Sequence, residues 1–455
     1  MPQIFRVWAY SDELDIFDDK SLGEHVRRDG NLVAALVYNH ITTRMITSVS
    51  DLWMLRIISL VSLLLAFNIL AQLISETNKS NFPQLILPIA LLLPSPMTYI
   101  LWGGIWLFSV SLLISLVACT LWLYAGIIQR AISPFLLSVS MLIYPISAFS
   151  SLSFMAMLFV LCYQTNAYFS LIIKKLLQLF ALSGFISLFT LAIFANTRNY
   201  EFNERVSLVG FQSLPQKIYW VISRPMAISS RFFDIRSPSV VDAFLVFAFV
   251  MLVVLFGLHR QSKELSDSSL IRIFLFFVAV FLSLTPLIIS SSNQIEFRYL
   301  FGISVCFLIT TSYFVAVFLQ TFSANSKYLL VLFLLVIGVL SMIENSNKQF
   351  IVPYQSKMLF FSREIDSCLS QPVKFSNIIV IPPKKPFPSR PNIGMFSQTT
   401  DLASEWIPIP SLKVILREKG LIYFDVMMEG GTSSFKNSCQ INLEGYRDFI
   451  DKPSN

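Results

Sequence analysis

The sequence predicts an all-α polytopic membrane protein with about ten transmembrane helices and a small C-terminal α/β appendage. Hydrophobic residues make up 55% of the chain, charged residues only 13%, and the mean hydropathy is +0.66. A soluble domain has roughly 25% charged residues. The net charge of +7 does not indicate nucleic acid, because the basic residues stand at span ends and in the tail, where topology and snorkelling use them.

Ten apolar segments carry the membrane prediction, since a bilayer core about 30 Å thick needs roughly 20 apolar residues per helix. Proline interrupts two neighbouring pairs of segments, at Pro88, Pro94 and Pro96 and again at Pro145. Proline removes a helix hydrogen bond, so we expect these sites to face protein rather than lipid. The segments are 53–75, 83–97, 99–127, 132–147, 149–166, 176–195, 240–258, 271–290, 299–320 and 328–343.

The chain divides into three regions: an acidic loop with an interfacial helix (1–52), a transmembrane domain (53–343) and a small tail domain (344–455). In the tail, 377–381 and 422–426 have the composition of strands, and 410–420 that of a short helix ending at glycine. Cys368 and Cys439 are able to pair if the tail faces an oxidising compartment, and their spacing leaves that open.

Loop charges set the expected orientation. With the N-terminal segment outside, the inner loops hold eight basic residues and the short outer loops only Arg298, which fits the positive-inside rule. The N-terminal segment, the long loop 196–239 and the tail are then extracytoplasmic. No apolar leader follows Met1, so we expect that a first helix is missing from this sequence. The eight residues are Lys79, Arg130, Lys174, Lys175, Arg260, Lys263, Arg272 and Lys327.

Two amphipathic segments are predicted on the outer side. Residues 30–46 alternate apolar and polar side chains at helical spacing, which is typical of a helix lying in the membrane interface. Residues 214–224 begin Leu-Pro and contain Tyr219 and Trp220, which suit the headgroup level. Lys217 and Arg224, seven residues apart, are expected to share one face of this second helix.

A dense acidic cluster precedes the first span, with Asp12 and Glu13 adjacent in sequence. Carboxylates beside anionic headgroups contribute little to a fold and make more sense as chemistry at the membrane surface. A fitting reaction is sugar transfer from a polyprenyl-phosphate donor to a glycan or lipid-linked acceptor. A carboxylate would take the acceptor proton, and cationic groups would stabilise the departing phosphate. The chain has no nucleotide-binding motif, and this reaction needs none.

Short motifs add a family resemblance. Tyr10-Ser11-Asp12-Glu13 and then Asp29-Gly30-Asn31 resemble the first outer loop of bacterial GT-C glycosyltransferases, in particular the O-antigen glucosyltransferase group. That group has an acidic pair after its first helix and Asp-Gly-Arg where this chain has Asp-Gly-Asn. The loss of the arginine puts one phosphate or sugar contact in doubt. Further similar stretches are Leu92-Leu93-Pro94, Leu142-Ile143-Tyr144-Pro145 and Lys217-Ile218-Tyr219-Trp220.

The resemblance implies a location in a bacterial inner membrane and a site whose residues can be carried over one by one. Asp12 or Glu13 would be the general base, and the other would orient the acceptor or a divalent cation such as Mg²⁺ or Mn²⁺. Asp29 is a third catalytic candidate, although it is equally suited to cap the helix that follows. The donor-phosphate candidates are Arg298, Lys217, Arg224 and Arg28, each of which also has the ordinary interpretation of an interfacial anchor or a partner of nearby acids.

Two other functions fit the same composition. A polymerase that joins polysaccharide repeat units would also have ten to twelve spans and functional arginines, but it does not need the acidic pair. A flippase or transporter for a lipid-linked glycan predicts ionisable residues near mid-membrane and inverted repeats. The spans carry almost no charge and show no repeat, which favours the enzyme.

Overall fold

The computed structural model describes residues 21–75, 82–198, 209–233, 240–291, 293, 297–321, 323, 325–347, 351–370, 377–381, 408–419, 421, 425–428, 438–443 and 446. These residues form a predominantly helical molecule with a small sheet. The helices are α1 (Ser21–Arg28), α2 (Leu32–Val37), α3 (Leu52–Ser75), α4 (Phe82–Ala90), α5 (Pro94–Leu101), α6 (Trp106–Tyr124), α7 (Ile127–Ile143), α8 (Pro145–Leu161), α9 (Asn166–Arg198), α10 (Leu214–Val221), α11 (Val240–Glu264), α12 (Ser269–Ser283), α13 (Thr285–Ile289), α14 (Phe301–Leu319), α15 (Ser326–Ser346), α16 (Val352–Leu369) and α17 (Pro408–Glu418).

The membrane part is a multi-pass helical bundle. Within the described ranges, six helices are long and apolar enough to cross a bilayer, and α4 with α5 form a seventh candidate that is bent by 60° at the break. Three further apolar helices, α7, α8 and α12, have 17, 17 and 15 residues and fall short of a full crossing by length alone. Of the roughly ten predicted spans, six or seven are therefore long enough to cross a bilayer.

Contacts between helix termini sort the bundle into two ends. At one end, here called the Arg298 end, Tyr99 contacts Ser147 and Arg298, and the backbone N–H of Val209 donates to Ile289 at 2.8 Å. At the other end, here called the Arg272 end, side-chain contacts join the residues after α8 to the ends of α9, α11 and α12. Trp122 there donates its indole N–H to the carbonyl of Lys175 at 2.8 Å.

Small polar residues hold the helices together inside the bundle. In a bilayer, such residues allow close packing and supply hydrogen bonds between helices. Gly302 makes one of these close contacts, since a Cβ there would lie 2.8 Å from the backbone of Ser150. The serine pairs are Ser59–Ser109, Ser111–Ser140, Ser115–Ser151, Ser138–Ser187 and Ser153–Ser283.

The prolines confirm the expected interior location only in part. Pro94 and Pro96 are buried at the start of α5. Pro145 is half-buried at the first turn of α8, where its missing N–H costs nothing. Pro88 is exposed on α4, so the expectation was wrong there. The physical reason is local: the helix bond that Pro88 removes is the one to the carbonyl of Gln84, one turn earlier, and Gln84 is itself only partly buried near the start of α4.

The tail forms a small α/β unit with a core cluster of its own, although Val414 of α17 belongs to the core cluster of the bundle. Three parallel strands, β1 (Asn377–Ile381), β2 (Asp425–Met428) and β3 (Ser438–Asn442), stand in the order β2–β1–β3, and α17 connects β1 to β2. The buried residues of this core begin at Phe360 in α16, whereas α15 runs on to Ser346. The predicted boundary at 344 therefore falls inside a helix.

A disulfide closes this unit. Cys368 at the end of α16 is bonded to Cys439 in β3, and their Cα atoms lie 5.8 Å apart. The pairing that the sequence left open is present. Neither α16 nor β3 was expected from the sequence, and the second strand lies at 425–428 rather than 422–426; residues 422–424 are outside the described residues.

Candidate functional site

Arg298 lies in a bed of aromatic rings at its end of the bundle. It occupies a short 3₁₀ turn, Phe297–Leu300, that leads into α14. Its guanidinium carbon is 4.8 Å from the ring centre of Trp102, 5.1 Å from that of Tyr299 and 5.9 Å from that of Phe108. The rings attract the cation through their quadrupoles. Arg298 is partly exposed, so the charge is held in place and still accessible from this end.

Two further aromatic residues complete the bed from beneath. Tyr144, at the junction of α7 and α8, stacks on Phe108 with ring centres 3.5 Å apart. The Tyr99 hydroxyl donates to the carbonyl oxygen of Arg298 at 2.9 Å. The bed therefore draws on α5, α6, the α7–α8 junction and the turn before α14.

The first interfacial segment packs against this bed. Residues 32–45 form one helical run, as predicted: α2, a π-helical turn at Tyr38–Thr42, and a final turn at Thr43–Met45. Leu36, Ile41 and Met45 are exposed on its outer side. On the inner side the buried Tyr38 donates a hydrogen bond to the carbonyl oxygen of Gly104, two residues after Trp102. The N-terminal region is thus anchored to the loop that supports Arg298.

Lys217 lies at the same end, on the second interfacial segment. It is only 4% exposed, its ammonium donates to the Asn293 side chain at 2.8 Å, and it lies 4.3 Å from the ring centre of Trp220. Burial disfavours the charged form and lowers the pKa of Lys217 to about 8. Asn293 precedes Arg298 by five residues, so one short segment of chain connects the surroundings of the two cations.

Arg224 does not share a face with Lys217, contrary to expectation. Lys217 is buried, whereas Arg224 is exposed. The cause is a π-helical turn at Ile222–Met226, which contains Pro225 and widens the helix by about one residue per turn. Regular 3.6-residue spacing would have superposed the two side chains; the wider turn rotates Arg224 outwards.

The N-terminal candidates are only partly described. Asp12 and Glu13 lie outside the described residues. Arg28 is exposed, 3.9 Å from Glu24 in an i,i+4 pair on α1, and Arg27 also pairs with Glu24. Asp29 is half-buried two residues before the N-cap of α2, and the cap position is Asn31, which makes no side-chain capping bond. Asp29 is therefore not the cap of this helix.

No metal cluster accompanies these residues in the described part of the chain, where no three His, Cys, Asp or Glu side chains stand close enough to hold an ion. The sequence also did not foresee Tyr99, Trp102 and Phe108 as neighbours of Arg298. A usable signal existed for two of them. Trp102 and Tyr99 follow a proline-broken span and precede Gly103-Gly104, a place where backbone leaves the helix close to the membrane surface.

The bundle and its two ends define the chain as a multi-pass membrane protein with an arginine site at one end. No protein-family model, curated protein or solved structure matches it, so the residues themselves carry the functional argument.

Proposed function

We propose that this protein is a membrane glycosyltransferase that transfers a sugar from a polyprenyl-phosphate donor to a surface glycan or glycolipid acceptor. The observation that carries the proposal is Arg298 on its aromatic bed, at the end of the bundle where both interfacial segments lie. A lipid-linked phosphate sits at the boundary between apolar chain and water. A guanidinium held at that boundary by aromatic rings matches the charge and geometry of a phosphate.

Lys217 strengthens this assignment. The ammonium of Lys217 donates to the Asn293 side chain and lies beside the Trp220 ring, and a phosphate oxygen at this end would accept a charge-assisted hydrogen bond from it. Two cations at one end of the bundle can neutralise a leaving phosphate as the glycosidic bond to it breaks. In this proposal Arg298 and Lys217 bind the donor phosphate, while the exposed Arg224 and Arg28 attract it by charge.

In this proposal the N-terminal segment activates the acceptor. Asp12 or Glu13 acts as the general base that removes the acceptor hydroxyl proton, and Asp29 is the further carboxylate of this region. The Tyr38–Gly104 hydrogen bond supports this placement, because it ties the segment that follows these acids to the loop carrying Trp102.

Two independent features support an extracytoplasmic position for the Arg298 end. The tail follows α15 and contains the Cys368–Cys439 disulfide, and disulfides persist in oxidising compartments. The opposite end carries the basic residues expected on the cytoplasmic side. With α7, α8 and α12 counted as crossings, the bundle has ten spans. An even number of spans puts the first and the last described residues on the same side, which is here the outer side. The described basic residues of that opposite end are Arg130, Lys174, Lys175, Arg260, Lys263, Arg272 and Lys327.

Glycan analysis in cells tests the proposal. The chromosomal copy is deleted and complemented with wild type, with Asp12→Asn/Glu13→Gln or with Arg130→Ala, and the surface polysaccharide is examined by mass spectrometry. We expect deletion and the acid variant to lose one sugar substituent, and wild type and Arg130→Ala, altered at the far end, to restore it. An unchanged glycan in the deletion strain contradicts the function; a restored glycan with the inserted acid variant contradicts the role of the acids.

A further inference from the structure

Tyr99 stands at the junction of three elements that meet beneath Arg298. It lies near the C-terminal end of α5, all eight residues of which are buried. Its ring stacks on Phe301, the first residue of α14, with ring centres 4.8 Å apart and planes 17° apart. Its hydroxyl lies 2.8 Å from Ser147 in α8 and 2.9 Å from the Arg298 carbonyl oxygen.

The direction of these hydrogen bonds follows from the groups involved. A carbonyl oxygen only accepts, so the single phenolic hydrogen of Tyr99 goes to Arg298. The Ser147 hydroxyl must then donate to the Tyr99 oxygen. The result is a directed chain, Ser147 to Tyr99 to the Arg298 backbone, in which neighbouring hydrogen bonds polarise one another.

This chain acts on the backbone of Arg298, whereas the aromatic bed acts on its side chain. Fixing both restricts where the guanidinium can go. The 3₁₀ turn Phe297–Leu300 is only four residues long, so its place depends on the elements that contact it. An anchor from α5 therefore determines the position of the turn relative to the bundle.

We infer that Tyr99 is a positioning residue for the phosphate site: its hydroxyl fixes the Arg298 backbone, and through it the place at which the guanidinium meets a polyprenyl phosphate. The inference rests on the proposed function, since it assumes that Arg298 binds the donor phosphate. It also assigns a role to the bent helix pair α4–α5, because α5, which follows the bend, carries Tyr99.

A double-mutant cycle on ligand binding tests this role. Purified protein in lipid nanodiscs is titrated with farnesyl monophosphate, with farnesol as the uncharged control. Tyr99→Phe keeps the ring on Phe301 and removes only the hydroxyl. We expect about fivefold weaker binding of farnesyl monophosphate, which is the effect of one typical hydrogen bond. In the Arg298→Ala and Arg298→Lys backgrounds, Tyr99→Phe should have a much smaller effect, since it acts through Arg298.

Tyr313→Phe is the matched control, because it removes a buried tyrosine hydroxyl at the Arg272 end. It should leave the affinity unchanged. If wild type does not prefer the phosphate to farnesol, or if both Arg298 variants bind it as wild type does, the proposed donor site fails. If Arg298 variants weaken binding but Tyr99→Phe leaves affinity intact, or weakens it equally in every background, Tyr99 is not a positioning residue. Size-exclusion profiles and melting temperatures establish that each variant is folded.

Discussion

Arg272 and Arg298 lie at opposite ends of the bundle, and their surroundings differ. Arg272 is fully buried, and its three guanidinium nitrogens all donate hydrogen bonds. The acceptors are the Gln261 side chain, at 3.1 and 2.7 Å, and the Gln164 carbonyl, at 2.8 Å. Arg298 is partly exposed and rests on ring faces.

The contrast separates a structural cation from one suited to a ligand. Around Arg272 the carboxylate of Asp267 lies 3.6 Å away and the Phe159 ring 4.2 Å away, so the charge is compensated within the protein. Arg298 instead rests on ring faces, donates a hydrogen bond to the Tyr299 hydroxyl at 3.2 Å and stays partly exposed. Arg272 therefore secures the ends of four helices, while Arg298 is placed where an outside anion can approach it.

The largest expected effect is a loss of stability at the Arg272 end. Arg272→Ala should destabilise the protein by about 3 kcal/mol, because Gln261 and Asp267 lose their buried partner and a cavity remains. Thermal melting followed by size-exclusion chromatography measures this loss. Arg260→Ala is the control, since its pair with Glu264 is about half exposed and worth at most about 0.5 kcal/mol. Equal melting temperatures for the two variants would contradict the structural role of Arg272.

The second effect concerns the other end and should leave the fold intact. Arg298→Ala should lower sugar transfer about 100-fold, the size typical for loss of one group that stabilises developing charge. Arg298→Lys should recover part of the rate, because it restores the charge without the bidentate geometry. Initial rates in membranes with matched protein levels provide the measurement. A stability loss as large as that of Arg272→Ala would show the two arginines to be alike after all.

The third effect tests the packing that carries Arg298. Gly302→Ala should cost about 2 kcal/mol, because its Cβ would lie 2.7 Å from the side chain and 2.8 Å from the backbone of Ser150 in the neighbouring helix. Gly184→Ala, on α9, has open space around the added methyl and should be neutral or slightly stabilising. Melting temperatures compare the pair. If both variants melt alike, α14 does not lie against α8 as closely as described.

The smallest effect is a pH dependence at the Arg298 end. Because burial lowers the pKa of Lys217 to about 8, its charge is lost as the pH rises through that value. Affinity for farnesyl monophosphate should fall about fourfold between pH 7 and pH 8.5 relative to Lys217→Arg, whose guanidinium stays charged. Binding titrations across this range give the ratio. A constant ratio of the two affinities would contradict an ammonium at the phosphate.

The same pKa fixes the sign of a stability change. The folded pKa of Lys217 lies below its unfolded value of about 10.4, so the unfolded chain binds more protons between the two values. The cost of burying the ammonium is present below pH 8 and is relieved as the pH rises towards 10. Lys217→Met should remove this contribution.

Continuous apolar runs were enough to predict a multi-pass helical bundle, because each span is defined by its own residues. The segment 53–75 corresponds almost residue for residue to α3, and the strand at 377–381 is β1. Arg298 could be chosen as a candidate because a charge at a span end is visible in a linear sequence, and Lys217 because it lies in an amphipathic segment. The aromatic bed was not found, since Tyr99 and Arg298 are 199 residues apart and only the helix packing brings them together.

Errors arose where local geometry departs from regular spacing. The π-helical turn at Ile222–Met226 separates Lys217 from Arg224, and no composition signal reveals such a turn. The strand β3 was missed because Ser438–Asn442 contains three polar residues and acquires its identity from pairing with β1. The disulfide likewise depends on a fold that the spacing of 71 residues does not encode.

The strand order of the tail has a consequence for biosynthesis. The central strand β1 is synthesised first and must wait for β2, and then β3, to emerge before its two edges are covered. Because all three strands are parallel, no hairpin can form early, and the partners of Asn377 in β2 and β3, Asp425 and Ser438, follow it by 48 and 61 residues. During translation the helices of the bundle precede the tail, so the sheet can be completed only after the ribosome has already produced the entire membrane part.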